Sequence, residues 1–166
     1  LRLSPTQATP AARDIVFLLD RSASLEGWTA EQGRRAVLQC LRRLRPLDRF
    51  SLAIFDHQVV SWQDGRRVGS GSLSSAKNWL QYQAKGGGTT DLVGALEWLR
   101  DQARRNQPGR PLYAVLISDG QGGRQAEACR VASTLRAALR LFTLGVGPNC
   151  EEHFLSLLAS LAGGSS

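Results

Sequence analysis

The sequence predicts an α/β fold: a doubly wound, mostly parallel sheet with one antiparallel edge strand and helices on both faces. Three observations predict it. Continuous apolar runs fall at Ile15–Leu19, Phe50–Asp56 and Leu112–Ile117, the pattern of strands covered on both sides. Other segments carry apolar residues at three- and four-residue steps, the mark of helices with one buried face. The two kinds of segment alternate along the whole chain, which gives a layered, Rossmann-like arrangement.

The 166 residues, 42% of them apolar, fit one domain with a substantial core. The expected boundaries are a flexible leader over residues 1–13, broken by Pro5 and Pro10, a domain over 14–164 and a tail at 165–166. No apolar run approaches the roughly 18–20 residues of a bilayer span. The leader also lacks the apolar core of a signal peptide. A chain that begins with Leu and contains no Met is expected of an excised segment of a longer protein.

The first strand covers Asp14–Leu19. Thr29–Leu44 then places Ala30, Gly33, Val37, Cys40, Leu41 and Leu44 on one helical face, with Arg34, Arg35, Arg42 and Arg43 on the solvated one. Pro46 ends that helix. Phe50–Asp56 is a second strand. His57–Asp64 alternates weakly up to Asp64-Gly65, a turn signal, and reads as the neighbouring edge strand. Gly69–Ser72 reads as a polar linker before a short helix through Ala84. Ser72 or Ser74 is its cap, and Trp79, Leu80 and Tyr82 are its core candidates. The loop Gly86-Gly87-Gly88-Thr89-Thr90-Asp91 opens a helix lined by Leu92, Ala95, Leu96, Leu99 and Ala103, closed by Pro108-Gly109. Pro111–Ser118 is the strongest strand signal and delivers Asp119-Gly120. Arg124–Ala138 is a helix with Ala128, Val131, Ala132 and Leu135 inward. Leu139–Val146 is a strand, and Glu151–Leu161 the last helix.

The net charge is +7, and all but two of the 21 basic residues are arginines. Such a balance admits nucleic acid or anionic partners. The arginines are scattered along the chain, which argues against a nucleic-acid site. Cys40 and Cys129 fall in helical patterns, where thiols pack as small apolar residues. With Cys150 they make an odd count without a CxxC pair, and no Asn-x-Ser/Thr sequon is present. The expected compartment is reducing and intracellular, with one disulfide and an extracellular setting left open.

Ligands of open α/β sheets bind at the carboxyl ends of the strands. There the sequence brings Asp20, Ser22 and Ser24 after the first strand, Thr90 in the glycine loop and Asp119 after the Leu112 strand. Two carboxylates and three hydroxyls, without Cys or His, are hard donors suited to Mg²⁺, Mn²⁺ or Ca²⁺. Mg²⁺ takes six oxygens, so a position stays open for an outside carboxylate. Either aspartate can instead cap loop amides. The triple glycine lacks both Gly-Lys-Ser/Thr and Gly-x-Gly-x-x-Gly, which argues against a nucleotide site. Phosphotransfer enzymes with an Asp nucleophile want a second carboxylate where this chain has Ser22. No Gly-x-Ser-x-Gly elbow is present, and His57 and His153 read as surface residues.

The motif spacing resembles the von Willebrand factor type A domain with its metal-ion-dependent adhesion site. Asp20-Arg21-Ser22-Ala23-Ser24 matches Asp-x-Ser-x-Ser. Thr90, before Asp91, Ala95 and Leu96, matches the family threonine, with Thr89 as the alternative. Asp119-Gly120 matches the last ligand. The resemblance runs from about Arg13 to Gly164. Ile-Val-Phe-Leu-Leu-Asp and Phe-Thr-Leu-Gly-Val-Gly look nearest to the inter-alpha-trypsin-inhibitor heavy-chain branch. The family usually adds a final strand and C-terminal helix after the Gly163-Gly164 position, and both are expected to be absent from this segment. The resemblance implies a non-enzymatic protein-interaction module in which a divalent cation, Mg²⁺ first, receives a Glu or Asp of a partner protein. Arg21 would steer that acidic group. The rival readings are a scaffold domain with an empty metal site that binds through its basic surface, and a metal-dependent phosphotransfer or hydrolytic enzyme.

Overall fold

Among the described residues, 11–67, 70–83 and 86–166 of a computed structural model, five strands and five helices follow one another. They are β1 (Asp14–Asp20), α1 (Gly27–Arg42), β2 (Arg49–Phe55), β3 (Val59–Arg67), α2 (Ser70–Tyr82), α3 (Leu92–Arg105), β4 (Leu112–Ser118), α4 (Gln125–Leu135), β5 (Arg140–Gly145) and α5 (Glu152–Leu161). Residues 1–10 of the expected leader lie outside the described residues. None of the described helices is long and apolar enough to cross a membrane.

The strands form one sheet in the order β3-β2-β1-β4-β5. β1 is parallel to β2 and β4, β4 is parallel to β5, and only β3 runs antiparallel, at the edge. The expected architecture is therefore the observed one, with strand order reversing at β1. Alternate residues of β1 feed two cores. Val16 and Leu18 pack with Ala114, Leu116 and helices α3, α4 and α5. Ile15, Phe17 and Leu19 pack with Leu52, Ile54 and helices α1 and α2. That division explains the unbroken apolar run: from Ile15 to Asp20 every position of the central strand is buried.

The register decides what meets at the carboxyl edge. Asp20 pairs with Phe55 of β2, and Leu19 with Ile117 of β4. The three strands end level, so Asp20, Asp56 and Asp119 arrive along one rim.

Three local expectations are corrected. Asp64-Gly65 does not turn the chain but lies inside β3, where the pairing with β2 shifts register between Phe50 and Leu52. A strong turn pair is absorbed there as a bulge, because pairing resumes at Arg66 and Arg67. Gly69 of the expected linker lies outside the described residues, but Ser70, Gly71 and Ser72 are helical, since α2 begins at Ser70, and this puts Ser72 and Ser74 inside the helix and not at its cap. Tyr82 is not core: it is 86% exposed, while Leu80 is buried and Trp79 half-buried. Ala76 and Leu80 hold the buried face four residues apart, and Tyr82, two residues further on, comes out about 200° round the helix, on the solvent side.

Gly33 lets α1 lie close to the sheet. A Cβ at this position would stand 2.8 Å from Leu19 Cδ1. Gly33→Val is expected to cost about 1–1.5 kcal/mol in urea melts, because overpacking outweighs the gain in helix propensity. Unchanged stability would mean that Leu19 repacks freely. At the other end of the chain, Gly164 lies on the Leu141 carbonyl, and Thr143 donates its N–H to the Ser165 carbonyl at 3.1 Å.

Candidate metal centre

The loop after β1 is built around the Asp20 carboxylate. Its Oδ1 accepts the Ser22 backbone N–H at 2.8 Å, and its Oδ2 accepts the Ser118 hydroxyl at 2.6 Å. Ser22 and Ser24 hydroxyls stand 3.1 Å apart. Asp20 and Ser22 are each 2% exposed, whereas Ser24 is open to solvent. The loop folds this way because a strand-end aspartate can take the N–H two residues on, and Leu25 closes it by donating to the Ser22 carbonyl at 2.9 Å.

Asp119 arrives from β4 and is also 2% exposed. Its Oδ1 accepts the Gln121 N–H at 2.9 Å, and its carbonyl accepts the Glu151 N–H at 2.7 Å. Gly120 follows with φ +74°, a left-handed turn open to glycine. Thr90, half-buried, comes from the loop before α3. The Cβ position of Gly122, in the Asp119 loop, lies 3.6 Å from Thr90 Cβ. Ala23 donates to the Gly88 carbonyl at 3.3 Å, which ties the glycine loop to the Ser22–Ser24 segment. Thr89, the alternative, is exposed. Asp91 caps α3, accepting the Gly94 N–H at 3.1 Å.

The Asp20 carboxylate is buried beside a like charge. Burial pushes the Asp20 carboxyl above its ordinary range, the Ser118 and Ser22 hydrogen bonds offset part of that, and the like charge of Asp119 adds to the rise. Two buried carboxylates near each other, ringed by hydroxyls, are a donor set that a hard divalent ion would satisfy. The set is hydroxyl-rich: among the described residues no group of three or more His, Cys, Asp or Glu is placed to hold a metal.

Two contributors were not singled out in the sequence. Ser118 bridges Asp20 to the Asp119 loop, donating to Asp20 and accepting the Gly120 N–H at 3.0 Å. Asp56, 2% exposed, sits at the end of β2 and faces Arg21, whose Nε lies 3.1 Å from its Oδ2. Its carbonyl also accepts the Asp91 N–H at 2.7 Å. The available signal was repetition: β1, β2 and β4 each end an apolar run on, or one residue before, an aspartate. Arg21 itself is only 16% exposed and also reaches Gln83 at 3.5 Å, so it braces the loop. His57 and His153 are exposed, and the three cysteines are free and half-buried.

A family model described as von Willebrand factor type A domain matches residues 13–166. Inter-alpha-trypsin inhibitor heavy chain H1 of Sus scrofa is 26% identical over 94% of this chain and 18% of its own length. Human von Willebrand factor A domain-containing protein 5B1 is 26% identical over 92% of this chain and 12% of its own. The chain thus spans less than a fifth of these relatives. Among solved structures, a von Willebrand factor type A protein from Catenulispora acidiphila aligns with TM-score 0.80 at 19% identity, covering 93% of this chain and 38% of that one. Manganese-loaded TRAP protein of Plasmodium vivax aligns with TM-score 0.76 at 21% identity, covering 90% and 63%. These last two likenesses are likenesses of fold.

Proposed function

The chain belongs to the von Willebrand factor type A domain family, and from that premise we propose that it is a non-enzymatic protein-interaction module. Domains of this family typically mediate adhesion between proteins and often bind a divalent metal. In this reading Ser22, Ser24 and Thr90 would hold Mg²⁺ or Mn²⁺ through their hydroxyls, and Asp20 and Asp119 would supply charge. The ion contributes an electrophilic position for a Glu or Asp of the partner. Arg21 adds positive potential beside that position. The observation that carries the reading is the buried Asp20–Asp119 pair at the sheet edge, laced to Ser22 and Ser118. The manganese-loaded TRAP neighbour supports the choice of ion class. Membership of the inter-alpha-trypsin-inhibitor heavy-chain branch belongs to the same proposal, supported by the Phe-Thr-Leu-Gly-Val-Gly phrase. A relative outside that branch matches at the same 26% identity.

The test is a thermal melt under Mg²⁺ and Mn²⁺ titration against an EDTA control. Saturating a native-only site raises stability by about 2.7 kcal/mol at a hundredfold excess over Kd, which moves the midpoint of a domain this size by roughly 5–10 °C. No shift at millimolar metal would sink the proposal.

A further inference from the structure

The loop that would receive a cation carries a positive charge of its own. Arg21 lies between Asp20 and Ser22, two residues of the proposed ligand set. Its charge suits an incoming carboxylate but opposes the ion itself. The side chain is only 16% exposed, so salt and water screen little of that charge. Asp20 and Asp119 balance a dication by themselves, and the guanidinium leaves an excess of one positive charge. The end of β2 supplies the missing carboxylate. Asp56 directly follows that strand, is buried, and places Oδ2 3.1 Å from Arg21 Nε. Both partners are fixed. Asp56 Oδ1 accepts the Gln58 N–H at 3.1 Å and lies 3.1 Å from Nδ1 of the exposed His57. The Asp56 carbonyl accepts the Asp91 N–H at 2.7 Å, next to Thr90 in the chain. Arg21 donates its backbone N–H to the Phe55 carbonyl at 2.8 Å, and Gly86 lies on the Arg21 carbonyl. A second guanidinium beside a ligand loop is matched in the same way: Arg124 stands 2.8 Å from Glu127 and 3.6 Å from Asp91.

We propose that Asp56 is the counter-charge that lets the Arg21-bearing loop accept a divalent cation. It is a positioning residue outside the ligand set: it holds the guanidinium and cancels its charge towards the ion. The inference rests on the cation reading of the Asp20–Asp119 site and adds to it a residue from a strand that contributes no ligand. A bracing role alone makes a different prediction. If Asp56 only propped the loop, removing Arg21 as well would not return what the loss of Asp56 took away. If it cancels charge, removing both restores the balance.

The experiment measures Mn²⁺ affinity, from the electron paramagnetic resonance of the free ion, in wild type, Asp56→Asn, Arg21→Gln and the double variant. Asp56→Asn keeps the shape and loses the charge, and should bind Mn²⁺ about tenfold more weakly. Arg21→Gln should bind it at least as tightly as wild type. The double variant should return to within about twofold of wild type, a non-additivity that marks a coupled pair. Asp48→Ala, destabilised at the opposite end of the sheet, should keep the wild-type affinity and so separates lost stability from lost binding. Unchanged affinity in Asp56→Asn would overturn the proposal and leave the cation reading standing. A loss that persists in the double variant would do the same and make Asp56 a brace. Where circular dichroism shows Asp56→Asn unfolded, Arg21→Gln decides alone, and a loss of about tenfold there overturns the proposal. No Mn²⁺ binding by the wild type would overturn both readings.

Discussion

Replacing Asp48 with alanine is expected to destabilise the domain by about 2–3 kcal/mol at pH 7. Asp48 is fully buried at the start of β2, at the end of the sheet opposite the candidate metal centre. Its carboxylate accepts six hydrogen bonds from Arg13 and Arg45, two from their backbone N–H groups and four from their guanidiniums. The shortest is 2.6 Å, from Arg13 Nη2. The arginine side chains are 36% and 32% exposed, so water recovers part of what they lose, and the figure stays below that of a fully buried pair.

The pH dependence carries the sign. Burial alone would raise the Asp48 carboxyl, but the hydrogen bonds from Arg13 and Arg45 hold it well below the usual carboxylate range. A depressed folded-state value contributes stability that is complete above the unfolded value near about 3.9 and is lost as pH falls through the depressed one. Urea melts should therefore show the full gap between wild type and Asp48→Ala at pH 7, narrowing progressively below about pH 4. A gap that stays constant down to pH 2 would contradict the ionic account and leave only a packing loss. Asp20 has the opposite sign. Its raised value means that its contribution in the absence of metal is present at low pH and fades as pH rises through that value.

Asp119→Ala is expected to abolish the metal-induced rise in melting temperature, a loss of about 2.7 kcal/mol of ligand stabilisation at a hundredfold excess over Kd. Its effect without metal should be small. The carboxylate's described bond is to the Gln121 N–H, and removing it relieves the repulsion that Asp20 feels. Asp91→Ala provides the contrast. Asp91 caps α3 through the Gly94 N–H, so that variant should lose about 1 kcal/mol without metal and keep its metal response. Differential scanning fluorimetry with and without Mn²⁺ reads both. An equal metal shift in wild type and Asp119→Ala would remove Asp119 from the proposed ligand set.

Much of the sheet was legible in the chain because parallel strands buried on both faces need unbroken apolar runs. Ile15–Leu19 and Leu112–Ile117 have no other reading of that length. Helix faces were legible for the same reason, and Ala128, Val131, Ala132 and Leu135 are all buried. The failures were local and came from strong short-range signals. Asp64-Gly65 favours a turn by its own dihedral preferences, yet cross-strand pairing with Arg49 and Phe50 carries the strand through it. Ser70-Gly71-Ser72 is a poor helix start by propensity, but α2 packs Ala76 and Leu80 into the core, and tertiary burial outweighs a weak first turn.

By itself the sequence determined the fold class, the strand-end positions of Asp20 and Asp119 and their oxygen-donor chemistry, because those follow from periodicity and side-chain type. Only the tertiary structure decided which groups share that rim. Register levels the ends of β1, β2 and β4, and this alone recruits Ser118 as the bridge to Asp20 and sets Asp56 against Arg21. The same long-range placement leaves Trp28 and Tyr82 exposed. Register and exposure are settled by contacts between residues far apart in the chain, and local patterns carry no record of them.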